Sequence, residues 1–271
     1  MTKKLVIGAI GIVSIAIIIF VVFFSLPANY KDSIRVNTHN INHFEKDAPQ
    51  ARVVVFSDLH LFYDYQVEDL RRVVEVINDA NPDIVIFNGD LFHDESYEKD
   101  DEVNGEIISI LREIKPMYGK FAILGEQDTK NDDARGILVN SDFEVLSNVV
   151  RNIRINEIKF NLIGLYNNGK QTKVLGNVSD KTFNFVVSHT PEIIESIQDY
   201  KIDVMVTGHT LGGQYNLPFY GSIFDNIRNV PHYKGFAEVN GINIYNSNGL
   251  GIYQSNMRFL APSSIELFII Q

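Results

Sequence analysis

The 271-residue chain has no cysteine. That excludes disulfides, thiolate zinc sites, thiol nucleophiles and cysteine-borne lipid anchors. It has no stripe of basic residues, and its formal net charge is −10, so the surface repels phosphate backbones and nucleic acid is not an expected partner. No Gly-x-Ser-x-Gly elbow or P-loop is present, which removes those routes to serine-ester and nucleoside-triphosphate chemistry. Internal repeats and low-complexity tracts are absent as well. The chain does have enough apolar sequence, 45% of residues, to bury one full-sized core.

Much of that apolar content is concentrated at the start. Leu5 to Leu26 carries no charge, and as a helix it would rise roughly 33 Å, enough to cross a bilayer. A cleaved signal peptide has a shorter apolar stretch ending in small residues, whereas Phe23, Phe24 and Leu26 occupy those places. The expectation is an uncleaved anchor over residues 1–27 and a single-pass membrane protein. Lys3 and Lys4 favour an inside N-terminus and an extracytoplasmic main domain, a bias that Lys31 and Arg35 oppose. Residues 28–50 read as a linker or stalk, although 34–41 alternates enough to form a strand.

From residue 51 to 271 the pattern is that of one α/β domain. Buried strands are expected at Arg52–Phe56, Asp83–Phe87, Lys120–Leu124, Phe183–Ser188 and Asp203–Thr207. Helices are expected at Val67–Ala80 and Val103–Ile114, the acidic run Glu98–Glu102 being a solvated helix start. Hairpins are expected at Val150–Leu165 and around Asn240-Gly241, with a closing strand at Ile265–Ile270.

The polar residues of interest follow the buried strands. Asp58 and His60 follow the first; Asp90 the second; Gly125-Glu126-Gln127-Asp128 the third; His189 and His209 two later ones. Strand ends on one edge of a sheet converge, and carboxylates with imidazoles gathered there suit a divalent metal. A single Asp-x-His or Gly-Asp is usually only a turn or a helix cap. Five such segments in order are not explained that way.

Together the segments resemble the ordered signature of calcineurin-like metallophosphoesterases: Asp-x-His, Gly-Asp, Gly-Asn-His-Asp, His and Gly-His-x-His. Thr207–Gln214, Gly249-Leu250-Gly251 and Arg258–Pro262 are similar to membrane-associated bacterial members related to UDP-2,3-diacylglucosamine pyrophosphatases. The resemblance implies a four-layer α/β/β/α sandwich and one or two divalent ions (Mn, Mg, Fe or Zn). It implies Asp58 and His60 on a first metal, Asp90 bridging, and His189 and His209 on a second. The implied activity is hydrolysis of a phosphodiester or pyrophosphate by a metal-bound hydroxide, the substrate being a phosphorylated small molecule or a lipid-linked one.

Three positions depart from the signature. Glu126 stands for the family asparagine, Gln127 for the catalytic histidine, and Leu211 for the last histidine. Glu126 either ligates the second metal, with harder ligation favouring Mn²⁺, Mg²⁺ or Ca²⁺, or caps the next helix. Gln127 donates a hydrogen bond but no proton, and losing a general acid costs about 10²–10⁴ in rate. Leu211 cannot ligate; His93 is either its substitute or an ordinary exposed loop residue. Phe62, Tyr63 and Tyr65 either line a substrate pocket or pack their loop down. These losses leave two readings, an enzyme with an altered centre and a catalytically impaired relative that serves as a binding or regulatory module.

Overall fold

The computed structural model describes residues 8, 11–16, 30–44, 50–94, 100–166, 168–253 and 256–271. Two six-stranded sheets carry the fold. The first contains β1 (Arg35–Ile41), β2 (Ala51–Phe56), β3 (Ile84–Asn88), β4 (Gly119–Ile123), β5 (Phe143–Val145) and β14 (Ser264–Ile270), in the order β1-β14-β2-β3-β4-β5. The second contains β6 (Val149–Ile155), β7 (Ile158–Leu165), β8 (Phe183–Ser188), β9 (Val204–Thr207), β12 (Gly235–Val239) and β13 (Ile242–Asn246), in the order β12-β13-β9-β8-β7-β6. A short hairpin, β10 (Asn216–Leu217) and β11 (Gly221–Ser222), stands apart.

Strand alternation assigns each side chain to a layer. On β2, Val53 and Val55 face the second sheet, while Val54 and Phe56 face helices α1 (Leu70–Asp79) and α2 (Asp101–Arg112). On β3, Ile84 and Ile86 point inward and Val85 and Phe87 outward. On β7, Phe160 and Leu162 join the inter-sheet core; Ile163 and Leu165 pack with Leu175, Ile194 and Ile197 on the outer face. Helices thus cover both outer faces of two stacked sheets. Both faces of the central strands are buried, which is why these segments read as continuous apolar runs.

The helix expected over Val67–Ala80 opens with a 3-10 turn, Val67–Asp69, before α1. Helix α2 is capped by Asp100, whose carboxylate accepts from the N–H groups of Glu102 and Val103. Within the stretch read as a linker or stalk, the alternating residues 35–41 form β1, paired in parallel with β14. The expected anchor lies almost wholly outside the described residues. Residues 11–16 are helical with Ile12, Val13 and Ile15 exposed, and among the described residues no helix is long and apolar enough to cross a membrane.

Candidate metal centre

Strands β2, β3 and β4 run parallel, as do β8 and β9, so their C-terminal ends meet at one edge. The sheets are tied together there. Asn88 Nδ2 donates to the Ser188 carbonyl (3.1 Å), and the His209 N–H donates to Asp58 Oδ1 (2.9 Å).

Two groups of potential ligands result. Asp58, His60 and Asp90 each place one ligand atom within 4.8 Å of the others, and Asp90, His189 and His209 do the same. Asp90 belongs to both. All are buried except His209, which is half-buried. Asp58, His60, Asp90, His209 and Leu211 all have positive φ, conformations that cost about 1–3 kcal/mol each and persist where the surroundings enforce them. Gly125 permits the close approach: a Cβ there would overlap the Asp90 carboxylate.

The protonation pattern follows from the contacts. His189 Nδ1 lies 2.7 Å from the Asn88 carbonyl and donates to it, so Nε2 turns toward Asp90 Oδ2, 3.1 Å away. Burial disfavours charge on His189, but the Asp90 and Asp58 charges outweigh it and push its pKa up to about 10. Burial also opposes charge on Asp90; His189, His60 and the Gln127 backbone N–H hold its carboxyl well below the usual range. His60 is pushed down by burial despite Asp90 and Asp58. The site therefore gathers negative charge beside imidazoles.

A divalent ion fits these residues. His209 Nδ1 is buried without a hydrogen-bond partner, an unfavourable state for a polar atom, and His60 Nε2 lies 3.9 Å from both the Asp58 and the Asp90 carboxylates, too far to hydrogen-bond either. Hard carboxylate oxygens with imidazole nitrogens form a suitable donor set.

The other expected residues are placed differently. Glu126 is exposed and outside both groups; with His189, Leu165 and Tyr166 it lines a cleft of about 90 Å³. Gln127 is half-buried, with its backbone on Asp90. Leu211 is buried. His93 is half-buried, not an exposed loop residue, and it too lies outside both groups. Its ring stacks on Tyr63 at 4.1 Å and meets His60 edge-on at 5.8 Å. Tyr65 is buried and Phe62 stacks on Phe92, so only Tyr63 faces outward.

Asp128, quoted in the motif without a role, is the residue that joins the loops. Its carboxylate accepts from the backbone N–H groups of Asp90 (2.8 Å), Leu91 (2.8 Å) and Gly125 (2.9 Å). Burial and the Asp90 charge raise its pKa to about 6, against the Gly125 and Leu91 donors and the His189 charge. Arg258 is a second such residue. It is buried, and its guanidinium donates to the carbonyls of Gly251, Asn248, Ala261 and Leu211. The loop it holds braces the first motif, since Leu250 and Gly251 donate to the Ser57 and Asp58 carbonyls.

Two stacked mixed sheets with a carboxylate-imidazole centre at their shared edge define a metal-dependent phosphoester hydrolase. The calcineurin-like phosphoesterase family matches residues 51–213, and the chain belongs to that family. It is 28% identical to the uncharacterized metallophosphoesterase YkuE of Bacillus subtilis, over 81% of this chain and 79% of that protein. It is 24% identical to the phosphodiesterase YaeI of Escherichia coli (79% and 80% covered). It is also 24% identical to the UDP-2,3-diacylglucosamine pyrophosphatase LpxG of Chlamydia trachomatis (79% and 82% covered).

Proposed function

We propose that the chain is a membrane-anchored phosphoesterase that hydrolyses a phosphodiester or pyrophosphate, with a phosphorylated small-molecule or lipid-linked substrate. The observation that carries this is the pair of ligand groups sharing Asp90, one of them containing the buried and unpartnered Nδ1 of His209. Asp58, His60 and Asp90 would hold one divalent ion; Asp90, His189 and His209 the other. When bound, such ions supply Lewis acidity toward the phosphoryl oxygens and lower the pKa of water.

The chain's own residues do the rest. Asn88 fixes the tautomer of His189, leaving Nε2 as the ligating atom. Asp128 and the Gln127 N–H hold Asp90 in place. The Gln127 amide can donate a hydrogen bond to a phosphate or leaving group but cannot protonate it, so the activity favours leaving groups that depart without a proton. Glu126 lines the same cleft as His189, and there it would meet substrate or a loosely held ion. The phosphodiesterase and pyrophosphatase relatives support the reaction class, the uncharged Leu5–Leu26 run supports the anchor, and Lys3 and Lys4 before it favour an extracytoplasmic domain. Gln127 and Leu211 favour the second reading, a metal-binding module without turnover.

The test is metal content together with aryl-phosphodiester hydrolysis, using Asp90→Asn as control. Metal-dependent turnover that disappears in Asp90→Asn is expected. Bound metal without turnover would replace the enzyme reading by the binding one.

A further inference from the structure

An apolar patch lies beside the metal centre. Leu217, Phe219, Tyr220 and Ile223, on and after the β10–β11 hairpin, are exposed, as are Met257 and Leu260. The two segments are joined. The Asn216 N–H donates to the Phe259 carbonyl, the Phe259 N–H donates to the Gln214 carbonyl, and the Tyr215 and Phe259 rings stack at 5.0 Å. Gln214 connects the patch to the site's rim, since its side chain bonds Met257 on one side and Tyr253 on the other. Tyr253 in turn packs against His60 and His93.

The patch is unusual in two ways. No charged residue occurs from Thr210 to Phe224 or from Val239 to Met257, although 21% of the chain is charged; water-facing loops normally carry charge. Phe219 and Leu260 also sit at positive φ, a costly conformation for bulky residues, and there they present apolar side chains to solvent. Contiguous exposed apolar surface of this kind marks an interaction site.

Chain continuity identifies the partner. Tyr30 comes four residues after Leu26, the end of the uncharged apolar run, and four residues span at most about 14 Å. Tyr30 is fixed to this same face. Its ring lies 6.0 Å from that of Tyr65 and 5.9 Å from the guanidinium of Arg258, the residue between Met257 and Phe259. Lys31 is held there too, by Asp69 and the Asp64 carbonyl. A segment that spans a bilayer must therefore leave it within about 14 Å of Tyr30, which packs on Arg258 in the loop that carries Met257 and Leu260.

We infer that the β10–β11 hairpin and the Met257–Leu260 segment rest in the bilayer surface as a second, peripheral contact. The metal centre then opens at the interface, toward phosphoryl groups of lipid-linked molecules. This inference builds on the membrane-anchored reading above, and the test separates the two.

The chain contains no tryptophan, so one introduced tryptophan reports alone. The full chain is reconstituted in phosphatidylcholine–phosphatidylglycerol vesicles with brominated acyl chains. Three variants are compared: Phe219→Trp at the hairpin, Val13→Trp in the apolar run, and Met117→Trp in the exposed loop before β4, at the end of the strands away from the metal centre. The expected result is a blue-shifted Phe219→Trp emission that loses most of its intensity to bromine, with Met117→Trp unchanged. If Val13→Trp is quenched and Phe219→Trp is not, the anchor stands and the surface contact is refuted. A Phe219→Trp emission that is blue-shifted but unquenched means that protein, such as a second copy, covers the patch, and overturns the inference. Quenching of Phe219→Trp without Val13→Trp keeps the surface contact and removes the anchor; quenching of neither removes both.

Discussion

Arg258→Met is the sharpest test of how the wall behind the centre is held. Methionine keeps an apolar stem and deletes the guanidinium. Three well-formed bonds are lost, to Gly251 (2.9 Å), Asn248 (2.9 Å) and Ala261 (3.0 Å), besides a longer one to Leu211 (3.4 Å). Bonds from a charged donor contribute about 1.5–3 kcal/mol each, so the gross loss is about 6 kcal/mol. Removing a buried charge returns part of this. Burial, opposed by Tyr65 and Asp58, lowers the Arg258 pKa to about 10, a shift that corresponds to roughly 3 kcal/mol. The net expectation is a loss of about 3 kcal/mol, or about 1 M in the urea midpoint followed by circular dichroism. Arg258→Lys should recover less than half, because a compact ammonium cannot reach carbonyls on both sides of the loop. An Arg258→Met midpoint within about 0.5 kcal/mol of wild type would refute the reasoning, since it would mean that solvent serves those carbonyls equally well.

Other expected outcomes concern the centre itself. With chelator present, stability should fall as pH rises. The His189 pKa is raised in the folded state, so its contribution is complete below the ordinary histidine range and is lost as pH climbs through about 10; urea midpoints at neutral and alkaline pH read this, and His189→Gln should flatten the dependence. Leu211→His should raise the affinity of the Asp58–His60–Asp90 group for Mn²⁺ in calorimetric titration. Histidine tolerates the positive φ found there better than leucine does, and unchanged affinity would show that the loop does not aim position 211 at the ion. Gln127→His should speed hydrolysis of alkyl more than aryl phosphodiesters, by up to about 10²; equal gains would count against a missing general acid.

The sequence showed the centre because its chemistry is local. Each of Asp58, Asp90, His189 and His209 lies within two residues of a strand whose both-sided burial makes it conspicuous. The strands' parallel order then brings the motifs together. What was not legible depends on partners far along the chain. Polar alternation at 34–41 fits a stalk as well as a strand until β14 pairs with it. Arginine is rarely buried, so nothing local marked Arg258 as the residue that gathers four carbonyls. Asp128 carried no role in the sequence because its three donors come from two loops, one of them nearly forty residues earlier. The exposed aromatic hairpin lacks any period that would separate it from an ordinary loop.

The position of β14 has a consequence for how the chain reaches its folded state. Residues 264–270 lie between β1 and β2, with β1 on one side in parallel and β2 on the other antiparallel. The strands from early in the chain therefore cannot meet each other. Until residues 264–270 are in place, β2 has an open edge and β1 has no neighbouring strand. Pairings separated by more than 200 residues form slowly, and an open apolar edge in the meantime invites wrong partners. A ribosome making this protein would hold an unfinished sheet until residues 264–270 had been made, so it is the arrival of this strand, rather than assembly of the metal site, that closes the open apolar edge.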